Sequence, residues 1–283
     1  MSIFICVFLW FQSDSLSDIV VESSCQLFNM ASSIAASVDG TLYVADVSDN
    51  SVHVVNNKNT IVRTIGGKGW SSEAFDFPSD VATSFLLDIF VSDNNNRRIQ
   101  RFDKQLQFIQ QYNEETIEGV GRCQPIASAV SSTGELYILD ADGKRVLQLN
   151  SRSFLDKEFG NYTSSNIRIR KPKDIAVTSD NEVVVLDDHQ ILLYDMFGNY
   201  LKSIPLASTI EWNAVSTFER TLIVVSPRLI TMIQLETLKE QTIVSKMIIG
   251  ATSIEPFVDA TIVNDRLIVL TNTSLYRCSY RIH

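Results

Sequence analysis

Four aspartates recur through the first two thirds of the chain at a spacing of 47 residues, and each one ends a short apolar run. They are Asp46, Asp93, Asp140 and Asp187. Two arginines, Arg98 and Arg145, follow their aspartates at the same offset. A carboxylate at a strand end can accept hydrogen bonds from turn N–H groups and can pair with a guanidinium. We therefore interpret these residues as structural links rather than as catalytic groups.

The side chains that often bind transition metals share no common position. His53 follows an apolar strand segment, His189 lies in a short loop and His283 is the last residue, so a three-histidine zinc site is not expected. The cysteines form no CxxC pair and are interpreted as free thiols. They are Cys6, Cys25, Cys123 and Cys278. Because GxSxG, P-loop, GxGxxG and HExxH motifs are also missing from the sequence, no catalytic residue and no cofactor are predicted.

The recurring aspartates mark repeats that each contain several short apolar strands separated by turn residues. The four clear repeats cover about residues 31–66, 77–112, 125–160 and 172–206. Two weaker repeats follow, in which Ser226 and Thr271 replace the aspartate. Repeats of roughly 40 to 50 residues built from short strands are typical of a β-propeller. The sequence therefore predicts an all-β fold, a six-bladed β-propeller of four-stranded blades.

The last repeat ends one strand short, and residues 1–30 offer a replacement. Two stretches there favour strand structure, IFICVFLWF and DIVVESSCQLF, and either could complete the last blade and remove an open sheet edge. The run Ile3–Phe11 is shorter than the roughly 20 residues of a membrane helix, so no transmembrane segment is predicted. Because no basic residue precedes it, a ring-closing strand is favoured over a signal-like segment or a misplaced start site. We divide the chain into this N-terminal segment and a propeller over 31–283, and we favour the cytoplasm over secretion or the periplasm.

The second repeat carries a more specific pattern. An apolar residue and a proline lead into its first strand, an aspartate closes its second, and Asn-x-Arg-Ile precedes its third. These residues are Phe77, Pro78, Asp93, Asn96, Arg98 and Ile99. The pattern resembles an NHL repeat, and the third repeat keeps Asp140, Arg145 and Val146 at the same offsets. The resemblance covers about residues 31–206 and implies a six-bladed propeller, a frame that hosts both binding and enzymatic roles.

Enzymes that resemble this frame suggest one alternative function. Propellers with lactonase or esterase activity hold a calcium or similar ion in the central channel through oxygen ligands of the inner strands. The candidate positions here are Asp80, Asp174, Asn213 and Asp259. Ca²⁺ takes about six to eight oxygen ligands, so a metal-dependent hydrolase or lyase at the channel is an alternative. The simpler interpretation is that Asp80 and Asp174 cap their own loops, and no metal ligand is assigned.

Basic residues suggest a second alternative, because some NHL-like propellers bind RNA on one face. Arg97 and Arg98 are expected on the same face as the basic run that contains Arg168, Arg170, Lys171 and Lys173. The net charge of −9 and the lack of aromatic residues within IRIRKPK argue against RNA or another anionic ligand.

The favoured interpretation is a non-catalytic protein-interaction or assembly module that presents loops from a rigid disc. A protein partner is expected, nucleic acid is not, and the oligomeric state is left open. The predicted contact residues are Trp70, Arg97, Arg98, Arg168, Arg170, Lys171 and Lys173.

Overall fold

The computed structural model describes residues 19–161, 167–244, 248–249 and 255–280. Within these ranges the chain forms six β-sheets whose inner strands contact one another in cyclic order around a central channel. Each sheet is one blade, and its four main strands run antiparallel from the channel outward. The predicted six-bladed β-propeller is therefore confirmed.

The first three blades follow the 47-residue spacing of the sequence. Blade one contains β2 (Ala31–Ala36), β3 (Leu42–Asp46), β4 (Ser51–Val55) and β5 (Ile61–Gly66). Blade two contains β6 (Pro78–Thr83), β7 (Ile89–Asp93), β8 (Arg98–Phe102) and β9 (Phe108–Tyr112). Blade three contains β10 (Pro125–Val130), β11 (Leu136–Asp140), β12 (Arg145–Leu149) and β13 (Leu155–Phe159).

The two blades that follow keep the same order of strands. Blade four contains β14 (Pro172–Val177), β15 (Val183–Asp187), β16 (Gln190–Tyr194) and β17 (Tyr200–Pro205). Blade five contains β18 (Ala214–Phe218), β19 (Thr221–Val225), β20 (Leu229–Gln234) and β21 (Glu240–Val244).

Blade six joins the two ends of the propeller. Its inner strands are β23 (Phe257–Val263), β24 (Arg266–Thr271) and β25 (Ser274–Tyr280), and its outer strand is β1 (Ile19–Gln26). The pairing of β1 with β25 is antiparallel, and a two-residue strand, β22 (Ile248–Ile249), lies parallel to β1. The second of the two predicted N-terminal stretches therefore closes the ring, whereas Ile3–Phe11 lies outside the described residues.

Hydrophobic packing between neighbouring blades forms the core. The second strands are continuous apolar runs because both faces of each sheet are covered. Six separate clusters of buried side chains result, one at each interface between consecutive blades, including the interface of blade six with blade one. None of the described segments forms a helix of the length and apolarity needed to span a bilayer.

The disc has two faces that are built from different loops. The hairpin face carries the loops that join first to second strands and third to fourth strands. These loops are 37–41, 56–60, 84–88, 103–107, 131–135, 150–154, 178–182, 195–199, 219–220, 235–239 and 264–265. The connection face carries the loops between second and third strands and the segments that lead to the next blade. They include 47–50, 67–77, 94–97, 113–124, 141–144, 167–171 and 206–213.

Candidate functional site

The aspartate that ends a second strand fastens the segment arriving from the previous blade. In blade two the carboxylate of Asp93 accepts the Asp76 N–H at 2.7 Å and the Arg98 Nε–H at 2.8 Å. Burial raises the pKa of Asp93 above its usual value, although these hydrogen bonds lower it. In blade three Asp140 pairs with Arg145 Nε at 2.9 Å. These contacts match the structural role expected from the sequence.

Arg98 lies inside the connection face rather than on its surface. Its guanidinium donates to the carbonyl oxygens of Trp70, Ser71 and Ala74, each at 2.9 Å, in addition to its bond with Asp93. Only 6% of the residue is exposed. Although Arg98 was named as a contact residue, its donors are already used by the chain's own acceptors.

The other basic residues of the connection face alternate with carboxylates. Arg97 donates to Asp142 at 2.7 Å, and Lys171 donates to Asp188 at 3.0 Å. The two basic clusters belong to blades two and four, and Asp142 of blade three lies between them in the ring. The predicted basic patch is therefore divided by acidic groups.

The remaining predicted contact residues differ in exposure. Arg170 and Lys173 are exposed and Arg168 is half-buried. The indole of Trp70 is 73% exposed at the segment between blades one and two. The structure thus leaves Trp70 as the one large apolar group among the predicted contact residues.

Three carboxylates meet around the central channel. Asp80, Asp174 and Asp259 occupy one equivalent position on the inner strands of blades two, four and six, and all three line the same cavity. The equivalent residues of blades one, three and five are small: Ser33, Ala127 and Ala214. The Ser33 hydroxyl lies 2.9 Å from Asp80 and 3.3 Å from Asp259. Carboxylates and small side chains therefore alternate around the axis.

Each of these carboxylates reaches across to the next blade. Its Oδ2 accepts a backbone N–H from the neighbouring inner strand: Ser128 to Asp80 at 2.8 Å, Val215 to Asp174 at 2.7 Å and Ile34 to Asp259 at 3.0 Å. A carboxylate that accepts backbone N–H groups forms strong, charge-assisted hydrogen bonds. The three aspartates thus link blades two to three, four to five and six to one. In addition, Asp174 Oδ1 accepts the N–H of Ile175 and Asp259 Oδ1 accepts that of Ala260, both at 2.7 Å, within their own strands. The bonds to the next blade are a further link that the sequence did not predict for Asp80 and Asp174.

Burial and mutual repulsion disfavour full ionisation of this ring. Desolvation raises the pKa of Asp80 to about 6 and that of Asp259 to about 7, while the backbone hydrogen bonds act in the opposite direction. Desolvation also raises the pKa of Asp174 well above its usual value, and the charges of Asp80 and Asp259 add to this effect. The channel is therefore a place where protons or a cation would be stabilised.

The three carboxylates do not bring one oxygen each within 4.8 Å of one another, a separation close to the limit for two ligand atoms of one calcium ion. Ca²⁺–oxygen distances are about 2.3–2.6 Å, so two ligand atoms of one ion are at most roughly 5 Å apart. Within the described ranges, one group of three acidic, histidine or cysteine side chains does have its ligand atoms within 4.8 Å of one another, and it lies outside the channel. Asn213 lines the connection-face end of the channel together with the three aspartates.

This group of possible metal ligands lies in blade one and was not predicted from the sequence. It comprises Asp46, Asp49 and His53. Burial lowers the pKa of His53, while the two carboxylates raise it. Both ring nitrogens already contact hydroxyls, Nε2 that of Ser51 at 3.1 Å and Nδ1 that of Thr64 at 2.8 Å. Ser51 stands where blade two has Arg98, which is the sequence signal that blade one differs here.

The hairpin face exposes more large apolar side chains than the connection-face segment 67–77, where Trp70 and Phe77 are exposed. Large apolar side chains are exposed on the hairpin-face loops in five of the six blades. They are Val38, Phe85, Leu86, Phe154, Phe197 and Leu238. A cavity of about 160 Å³ opens on this face between blades two and three, and Phe85 and Leu86 form part of its lining. Sequence reasoning missed these residues because it followed the charged and repeated positions.

Fold and repeats define this chain as a six-bladed β-propeller, consistent with the NHL-like pattern of its second and third repeats. No family model matches the sequence. The chain is similar to the B-box type zinc finger protein ncl-1 of Caenorhabditis elegans, with 31% identity over 142 residues. That match covers 48% of this chain and 16% of the relative's length.

Solved structures share the fold at low sequence identity. A streptogramin B lyase aligns with a TM-score of 0.68 and 13% identity over 95% of this chain and 100% of that chain. A virginiamycin B lyase from Staphylococcus aureus aligns with a TM-score of 0.62 and 10% identity over 91% and 98%. At these identities the similarity supports the propeller fold alone.

Proposed function

We propose that this propeller is a non-catalytic interaction module that binds a partner protein through its hairpin face. The observation that carries the proposal is the gathering of exposed large apolar side chains on that face. Free energy is gained when a partner covers exposed apolar groups and removes them from water. A single exposed apolar residue is common on protein surfaces. In this chain, however, such residues lie on the hairpin-face loops of five blades.

The rigidity of the disc supports this role. Six interfaces between blades are filled with buried side chains, and carboxylates on the connection face and at the channel bond neighbouring blades together. Loops held on such a frame lose little conformational entropy when they bind. The carboxylates with raised pKa values accept these hydrogen bonds between blades. This structural role explains why they are buried without requiring a catalytic role.

The test is to purify the protein gently from its source, measure the native mass of its complex and identify the co-purifying chains. The wild-type protein is compared with a Phe154→Ser/Phe197→Ser variant of the hairpin face and with Trp70→Ser as the matched variant of the connection face. We expect the hairpin variant to lose the partner and the Trp70 variant to keep it. Loss of the partner in the Trp70 variant alone would move the binding site to the connection face.

Two further outcomes would favour the alternatives. Recovery as a lone particle of 31.8 kDa with a stoichiometric divalent ion that Asp174→Ala removes would favour a metal-dependent enzyme. Co-purifying RNA that is lost on Arg170→Ala would favour the anionic-ligand alternative. Either result would replace the interaction-module proposal.

A further inference from the structure

One loop of the hairpin face breaks the pattern of its sister loops. Between the first and second strands, blades one, three and four carry the triplets 38–40 (VDG), 132–134 (STG) and 179–181 (SDN), which have at most one apolar residue and end in Gly or Asn, whereas blade two carries 85–87 (FLL). These four triplets stand 47 residues apart, so they are direct equivalents. A turn normally uses Gly, Asn or Asp here, because these residues suit its backbone and its exposure to water.

The backbone of this loop is the same in all four blades, although its residues are not. The third position has a positive φ throughout: 85° at Gly40, 69° at Leu87, 90° at Gly134 and 63° at Asn181. Glycine and asparagine adopt this left-handed region readily, whereas a leucine there is strained. Natural proteins retain such local violations mainly where function requires them.

The apolar side chains of this loop contribute little to the fold itself. Phe85 is 69% exposed and Leu86 is 77% exposed, the latter being the largest value among the exposed large apolar residues that the structure describes. Neither belongs to the buried clusters between the blades. Their retention therefore points to contact with something outside the chain.

Phe85 and Leu86 stand beside the cavity between blades two and three. Its remaining apolar lining is provided by Phe90, Val130, Leu136 and Leu149, and its volume of about 160 Å³ is close to that of one large side chain. Interface anchors are typically single large side chains that fill such a pocket near the centre of the contact.

The two charged side chains of the cavity lining, Arg101 and Asp88, are paired with each other. Arg101 Nε donates to Asp88 at 3.0 Å, and the guanidinium lies 5.7 Å from the centre of the Phe90 ring. The hydroxyls of Tyr112 and Ser153 lie 3.2 Å apart. The cavity thus presents no net charge, which matches an uncharged apolar group. The net charge of −9 of the whole chain opposes approach to an anionic membrane surface.

We propose that this cavity receives one large uncharged side chain, leucine, methionine or phenylalanine, from a partner protein, with Phe85 and Leu86 forming its rim. The proposal rests on the proposed function, since it names where and through what chemistry the partner is held. It places the anchor between blades two and three and treats the other exposed apolar residues of the face as surrounding contacts.

The test uses a displayed library of random peptides selected on the wild-type chain, followed by fluorescence polarisation with the selected peptides. We expect these peptides to share one large apolar residue, and its replacement by alanine to weaken binding by about tenfold or more. The Phe85→Ser/Leu86→Ser variant is expected to bind the selected peptides about tenfold or more weakly as well. Trp70→Ser is the matched control on the connection face, and Leu87→Gly keeps the turn and the rim; both should bind within about twofold of wild type.

Several results would overturn the proposal. The anchor would be refuted if the selected peptides bound the Phe85→Ser/Leu86→Ser variant as well as wild type. It would also be refuted if the peptide selection failed although the native complex was recovered. Neither result would contradict the proposed interaction module. If sedimentation shows a dimer that this variant abolishes, the occupant of the cavity is a second copy of the chain. If the protein binds neutral phosphatidylcholine vesicles and this variant does not, the occupant is a membrane lipid. Failure of both the peptide selection and the native complex would refute the two proposals together.

Discussion

The two faces of the disc use their side chains in opposite ways. On the connection face, charged groups turn inward and bond to the chain itself, as Arg98 does with Asp93 and with three carbonyl oxygens. On the hairpin face, apolar groups such as Phe85 and Leu86 turn outward and contact water. The repeated, chemically conspicuous residues therefore hold the blades, while the residues that depart from the repeat remain available for binding. The comparison predicts that substitutions on the first face change stability and those on the second change binding.

The largest expected effect is on the connection face. Arg98→Ala should lower the free energy of unfolding by about 3–5 kcal/mol, because it leaves the buried Asp93 carboxylate without its cation. Urea denaturation measures the change. Arg97→Ala removes a half-exposed pair with Asp142 and should cost about 1 kcal/mol or less. Equal losses for the two variants would contradict the inward, structural role of Arg98.

The channel between the two faces should show a distinctive dependence on pH. The pKa of Asp259 is raised in the folded chain to about 7, so the folded state holds its proton more tightly than the unfolded state does. The stability this gives is fully present at low pH and is lost as pH rises through about 7.

Asp259→Asn should therefore reduce the loss of stability between pH 5 and pH 8 by roughly 1–3 kcal/mol, measured by urea denaturation at a series of pH values. Asp39→Asn on the hairpin face is the control, because hydrogen bonds from Ser37 and Thr41 lower the pKa of Asp39 and place its titration below this range. An unchanged slope in the Asp259 variant would show that this carboxylate ionises at its ordinary pH.

A smaller effect is expected within the hairpin face. Leu87→Gly should stabilise the chain by about 0.5–1 kcal/mol, since relief of left-handed strain exceeds the added chain entropy of glycine. The reciprocal change, Gly134→Leu in the sister loop, should destabilise by about 1–2 kcal/mol. Thermal unfolding of both variants tests the pair. A loss of stability in Leu87→Gly would mean that Leu87 supports the fold through packing.

The smallest effect on stability is expected where the apolar residues are most exposed. Phe154→Ser and Phe197→Ser should each change the free energy of unfolding by no more than about 0.5 kcal/mol, because both rings already lie mostly in water. Calorimetry provides the measurement. A loss of unfolding free energy well above that value would show that these rings pack in the core, and it would contradict the difference between the two faces.

The architecture was readable from the sequence because it depends on repetition. Evenly spaced aspartates after apolar runs marked the blades, and the missing last strand indicated that an N-terminal stretch would complete the ring. Periodicity reports burial directly, since a strand covered on both faces must be apolar along its length. The fold was therefore predictable where each element repeats its neighbour.

The candidate site was less predictable because it depends on loops. Asp80, Asp174 and Asp259 could be picked out, yet their bonds to the next blade depend on how inner strands approach one another. The burial of Arg98 depends on the path of the 67–77 segment, which no periodic pattern encodes. The FLL triplet was visible as a departure from its sister loops, but only the structure placed it beside a cavity.

The closure of blade six also sets how the molecule responds to mechanical load. Ile19 of β1 is paired with Tyr280 of β25, so the two described ends of the ring lie side by side in one sheet. A force that pulls these two points apart would load the ladder one hydrogen bond at a time, in the manner of a zipper. The propeller should therefore yield first at this seam under tension, while its other five blades, each formed from a continuous stretch of chain, stay folded.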